Sequence, residues 1–216
     1  DWAQLAADPL TQSLGAFAFG FGLALAASLA LLPAEEYDRI SESLEQAIAF
    51  GRRVPATDSL DQHRARTVEH MCLNTLGNYL LLRGQRAEAR QRYEEALALS
   101  RAMGSSLAEA QTSNSIAELL ETEGSLEQAL HYREKALWMH QLLTEPDSMS
   151  RTLSALCGVL TYLGDYENAW QRGRAALELR QRHGLVNHFL YYRLAMFCFL
   201  SSLEGAARQP VTLAMS

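Results

Sequence analysis

Between Leu73 and Gly184 one pattern is written three times, and its spacing does not change. Gly84, Ala89, Ala96 and Leu97 return forty residues later as Gly124, Ala129, Ala136 and Leu137. Forty residues further on they return as Gly164, Ala169, Ala176 and Leu177. The upstream apolar positions Leu76, Ile116 and Leu156 keep the same step. A chain that repeats itself on this scale builds a solenoid of like supersecondary units, each burying its apolar face against the next.

The residues around each glycine say what a unit is. Apolar runs at helical spacing precede and follow it. Gly84, Gly124 and Gly164 stand where a first helix has to stop and a left-handed residue is needed. Ala89, Ala129 and Ala169 fall one turn into the second helix, where a short side chain lets antiparallel helices approach. Ala96, Ala136 and Ala176 repeat that further along. The second helices are expected to end at Gly104, near the turn Glu145-Pro146-Asp147, and at Gly184. Each unit is predicted to be a helical hairpin, and the fold class all-α, an antiparallel helix-hairpin solenoid.

Leu76-Gly77, then Gly84, Ala89, Tyr93 and Ala96, resembles the tetratricopeptide repeat (TPR). The second copy has Ala117 for the small residue after Ile116 and Arg133 at the aromatic position, with Tyr132 beside it. The third has Cys157 and Gly173 at those two places. A period of forty exceeds the usual TPR length of roughly 34 residues by a little under two helical turns. The chain thus resembles the longer TPR variants of regulatory and scaffold proteins. The resemblance covers about half the sequence and implies a right-handed superhelix whose first helices line a groove for a partner.

Length and composition fit a single domain over residues 1–216. Apolar residues make up 48% and charged residues 20%, as in a folded protein. A net charge of −6 argues against direct binding of nucleic acid, which favours a basic face. Lys135 is the sole lysine among 19 basic residues, a bias read as compositional. Cys72, Cys157 and Cys198 lie far apart in apolar helical runs and read as buried thiols of a reducing compartment, hence a cytoplasmic protein. There is no Cys/His cluster for a metal, and no phosphate loop, nucleophile elbow or HExxH, so neither cofactor nor enzyme activity is expected. His131 and His140, on one second helix, read as surface histidines, and the runs Glu94-Glu95 and Glu118-Glu121-Glu123 as solvated faces.

The solenoid divides into a degenerate N-terminal hairpin over 1–54, repeats over 62–104, 105–145 and 147–184, and a partial repeat over 185–216. Leu10 to Leu32 is long and apolar enough to span a bilayer. It lacks a basic flank or a signal-peptide n-region, and Gly15, Gly20 and Gly22 suit a helix clamped between others. A buried solenoid helix is one reading, and contact with a membrane or partner is the other. Pro33 with Glu35 and Glu36 suits a helix start, followed by the apolar face Tyr37, Ile40, Leu44, Ala47, Ile48 and Phe50. Pro55 to Asp61 reads as a linker. Val186 to Leu203, with Tyr191 and Tyr192, reads as an uncapped apolar helix at the other end. A start at Asp1 suggests an excised piece of a longer protein.

Projecting the forty-residue step across the first helices gives columns for the groove the resemblance implies. Met71, Gln111, Arg151 and Tyr191 form one; Asn74, Asn114, Ser154 and Leu194 the next; Asn78, Glu118, Gly158 and Cys198 a third. Mid-helix asparagines are poor helix formers, and side-chain amides along a groove can bond a peptide backbone. The equal alternative is that they bond neighbouring helices. The expected groove residues are Asn74, Asn78, Gln111, Asn114, Glu118, Arg151, Ser154 and Tyr191. Of the two-carboxylate clamp known in some TPR domains, only Asn78 and Arg151 match, with Asn74 where a lysine would stand. These observations predict a non-catalytic protein- or peptide-binding module, a regulatory, sensor or scaffold arm of a larger bacterial-type protein. The alternative is self-association, as a homo-oligomer, through the apolar terminal helices.

Overall fold

The computed structural model describes residues 34–53 and 59–184, and there it is helical throughout. Five helices form one compact unit: α1 (Ala34–Arg53), α2 (Ser59–Leu82), α3 (Arg86–Ala102), α4 (Ser106–Thr122) and α5 (Leu126–Leu142). Two more, α6 (Pro146–Tyr162) and α7 (Tyr166–His183), lie in a second unit. The expected segments Leu10–Leu32 and Val186–Leu203, with Tyr191 and Cys198, lie outside the described residues.

The glycine after each first helix sets the hairpin. Gly84, Gly124 and Gly164 have φ of 76°, 77° and 78°. That left-handed conformation is where glycine avoids the Cβ clash. The chain then closes the same pair of bonds each time. Gln85, Ser125 and Asp165 donate their N–H to Leu80, Leu120 and Leu160, while each glycine donates to the residue that follows that leucine. This double closure satisfies the orphan carbonyls of a helix end. The pairs α2–α3, α4–α5 and α6–α7 are therefore antiparallel, with α1 packed on α2, and α4 beside both α2 and α3.

The repeated alanines lie at the contact between paired helices. Ala89, Ala129, Ala169, Ala96, Ala136 and Ala176 are all 0% exposed. Around Ala89 and Ala129, Tyr93, Leu97, Ile116, Leu119 and Leu120 make one core. Ile48 of α1 joins Leu73, Leu76 and Ala96 in a second core. Burying a leucine-sized side chain stabilises by roughly 1.5–3 kcal/mol, so these clusters carry the fold. Ion pairs rim them: Arg52 of α1 reaches Glu69 of α2 at 2.6 Å and Glu95 of α3 at 3.0 Å, and Arg92 of α3 reaches Glu45 of α1 at 2.7 Å. Arg83 also pairs with Asp38.

Several local expectations are corrected. Ser59 to Asp61, assigned to a linker, begin α2. The second hairpin ends near Glu145-Pro146-Asp147, as expected, with Thr144 holding φ 53° in the register of Gly104 and Gly184. Glu145 then caps α6, and Pro146 takes the first turn, where a missing N–H is harmless. His140 is buried, not on the surface, whereas His131 is exposed and meets Tyr132 edge-on with ring centroids 6.2 Å apart. Among the described residues, no helix is long and apolar enough to cross a membrane.

Candidate partner-binding face

First helices α2 and α4 lie side by side, and one buried contact fixes their register. His70 Nε2 is 2.8 Å from Thr112 Oγ1, both buried. The ring has left water and holds the neutral form, so burial lowers the His70 pKa against a smaller opposing hydrogen bond to the Ala108 backbone. An offset of 42 residues across this contact differs from the forty-residue step by only about 3 Å of helix rise. Same-column residues on α2 and α4 are therefore neighbours.

Facing away from the second helices, α2 shows Val68, Met71, Asn78 and Leu82, a helical stripe with Met71 59% exposed. On α4 the corresponding stripe is Leu107, Gln111, Glu118 and Thr122, all exposed. Of the apolar members of this surface, Met71 stood in a projected groove column, while Val68, Leu82 and Leu107 did not figure in the expectation. Their signal was present in the sequence, since Val68, Met71 and Leu82 share a face at i, i+3 and i+14. Spacing alone could not tell that face from a core stripe.

Second-helix residues orient the polar members. Tyr93 is buried in α3, and its hydroxyl donates to Asn78 Oδ1 at 2.8 Å. Asn78 itself is exposed, and this bond fixes its amide from behind. Burial raises the Tyr93 pKa, and the nearby Glu118 carboxylate raises it further, which holds the phenol protonated as a donor. In the next hairpin Arg133 stands in the register of Tyr93 and is 5% exposed. It donates to Glu121 Oε1 from Nη2 at 2.7 Å and from Nε at 3.0 Å, and to Asn114 Oδ1 at 3.3 Å.

The expected groove residues thus fall into different settings. Asn78, Gln111 and Glu118 are exposed on α2 and α4; Asn74 and Asn114 are half-buried there. In the other unit, Arg151 is exposed and pairs with Asp147 one turn earlier at 3.3 Å, whereas Ser154 is 2% exposed and turned from solvent. Tyr191 lies outside the described residues. The acidic runs are only partly solvated: Glu95, Glu121 and Glu123 pair with arginines, whereas Glu118 forms no ion pair among the described residues. Among the described residues, no group of three or more His, Cys, Asp or Glu is placed to hold a metal ion.

Hairpins of matched length, glycine closures in one register and first helices stacked side by side define a TPR-like helical repeat array. No family model matches the chain, and no curated protein does. Among solved structures it is similar to BtubC (BKLC) from P. vanneervenii, with a TM-score of 0.62 and 18% identity over 97% of this chain and 85% of that one. It is also similar to the kinesin light chain nearly identical TPR-like repeats from Podosopora anserina, with a TM-score of 0.56 and 12% identity over 86% of this chain and 85% of that one. At such identities the likeness is one of fold.

Proposed function

We propose that this chain is a non-catalytic protein-interaction module that takes a peptide segment or partner helix on the exposed face of its first helices. One observation carries the reading. On α2 and α4, exposed apolar side chains lie beside exposed polar ones, and one of these, Asn78, has its amide oriented from behind by Tyr93. Surface asparagines normally keep rotamer freedom, and losing it on binding opposes association. An amide already held in place has given up that freedom on folding. Exposed Met71 and Leu107 supply apolar area that water would gain by releasing. A role as regulatory or scaffold arm follows from the TPR resemblance and belongs to the same proposal, as does a cytoplasmic setting.

The test is selection of a random twelve-residue display library on the full chain, followed by calorimetric titration of the enriched peptides. Met71→Glu and Gln111→Ala are expected to weaken binding at least ten-fold with the helix content unchanged. Peptides that bind all face variants as well as the original chain would place the interaction elsewhere and count against this reading.

A further inference from the structure

We infer that the α2–α4 face takes a cationic segment, with a lysine or arginine of the partner seated on Glu118 and an aliphatic residue seated on Met71. The inference rests on the interaction reading above and adds the chemistry of the partner. It starts from an imbalance of charge. Along the end of α4, Glu121 is held by Arg133 at 2.7 Å and Glu123 by Arg90 at 2.6 Å. Glu118, exposed and on the same helix, forms no ion pair among the described residues. Its carboxylate lies close enough to the Tyr93 phenol to raise that group's pKa.

The surroundings favour a cation at this point. Asn78 Oδ1 already accepts from Tyr93, so the charged carboxylate of Glu118 is the stronger acceptor of the pair. Arg64, the cation at the start of the α2 stripe, is fourteen residues before Asn78, about 21 Å along a helix. That is beyond the screening length of roughly 8 Å at physiological salt. Arg83 is occupied by Asp38. Arg133, bonded to Asn114 and Glu121 on either side, spends its donors there, so a lysine or arginine arriving here meets an exposed carboxylate with no ion pair among the described residues.

The same geometry sets a spacing. Met71 precedes Asn78 by seven residues, as Gln111 precedes Glu118, which is about 10 Å of helix. An extended segment covers that distance in about three residues. A peptide lying along α2 would therefore carry its basic and aliphatic anchors three positions apart.

The display selection decides this when run in parallel on the full chain and on Glu118→Lys, an exposed substitution whose fold is checked by circular dichroism. Enriched peptides are expected to carry Lys or Arg three residues from Leu, Ile, Val or Met. Glu118→Lys should lower their affinity at least ten-fold, and changing the peptide cation to Glu should restore binding to that variant. Enrichment of acidic or neutral peptides, or of basic ones indifferent to Glu118→Lys, overturns the inference. If such peptides still respond to Met71→Glu, the interaction reading stands without it. No enrichment, or enrichment insensitive to every face variant, counts against both.

Discussion

In the α2–α3 hairpin the ring of Tyr93 lies where a side chain on Gly77 would be; a Cβ built there falls 2.4 Å from the ring. In the α4–α5 hairpin the same two positions hold Ala117 and Arg133, and the guanidinium is turned onto Glu121 and Asn114. The third hairpin has Cys157 and Gly173 there, both buried. As the first-helix residue grows from glycine to alanine to cysteine, the second-helix residue shrinks from tyrosine to arginine to glycine. One backbone thus accepts an aromatic interior, an ionic one or a small one, provided the volumes are reciprocal. Close packing demands that reciprocity. The ionic version demands more: Glu121 has Leu81 as its counterpart, so the arginine came with its carboxylate.

The largest effect should come from breaking that ionic interior. Glu121→Ala leaves Arg133 buried with only Asn114 as partner, and stranding a buried charge costs several kcal/mol. With Glu121 part-exposed, a loss of about 3 kcal/mol is expected in urea unfolding. Transplanting the first interior into the second hairpin, as Ala117→Gly, Glu121→Leu and Arg133→Tyr together, should leave stability within about 1 kcal/mol, because an apolar set can replace a buried ion pair. A loss as large as that of Glu121→Ala would show the two interiors are not interchangeable. Next in size is Gly77→Ala. Overpacking against Tyr93 costs up to about 3 kcal/mol, helix propensity returns about 1, and a net loss near 2 kcal/mol is expected. Ala117→Gly, with no ring to relieve, should lose only about 1 kcal/mol.

The hairpin order and the glycine turns were legible because they rest on local chemistry: a left-handed residue and small contacts recur every forty positions. What the columns could not show is which side of a helix the partner residues came from. Asn78 and Asn114 were visible as odd mid-helix residues, yet their bonds run to Tyr93 and Arg133 on the second helices, at sequence separations of 15 and 19. The sequence showed only that arginine stands at the aromatic position of the second copy. It is a different solution to the same space, recognisable only with Glu121 in view. His140 was misplaced because a polar side chain near a helix end resembles a surface residue until neighbouring helices enclose it.

A third test falls at the seam between these two hairpins, where His70 meets Thr112. Burial favours the neutral ring, so the folded pKa lies below the ordinary value of 6.5. The unfolded chain then takes up the proton first as pH falls. Stability should be fully present above pH 6.5 and be lost as pH drops from there toward the lowered folded value. His70→Gln, which keeps a hydrogen-bonding group near Thr112, is expected to flatten the dependence between pH 7.5 and 5.5. Over that range Glu109, whose pKa is lowered by its hydrogen bond to Lys135, stays ionised and does not contribute. An unchanged slope in the variant would show that the seam does not sense the proton.

The smallest effect concerns how the two hairpins end. Gly104 closes the first with φ 64°, and Thr144 closes the second with φ 53°. A β-branched residue in that conformation sets its Cβ against the following carbonyl, at about 1–2 kcal/mol. Glycine removes the clash but gains freedom in the unfolded chain, which returns roughly 0.5–1 kcal/mol of the benefit. Thr144→Gly should therefore stabilise by somewhat under 1 kcal/mol, and Thr144→Asn by less, since asparagine tolerates the left-handed region. Gly104→Thr should destabilise by a similar amount to the gain at position 144. If both single changes behave so, the chain exchanging the two residues should match the original within about 0.5 kcal/mol, the additivity limit for separated sites. If Thr144→Gly is neutral while Gly104→Thr is costly, the threonine has compensating contacts, and the two ends are not equivalent despite their shared register.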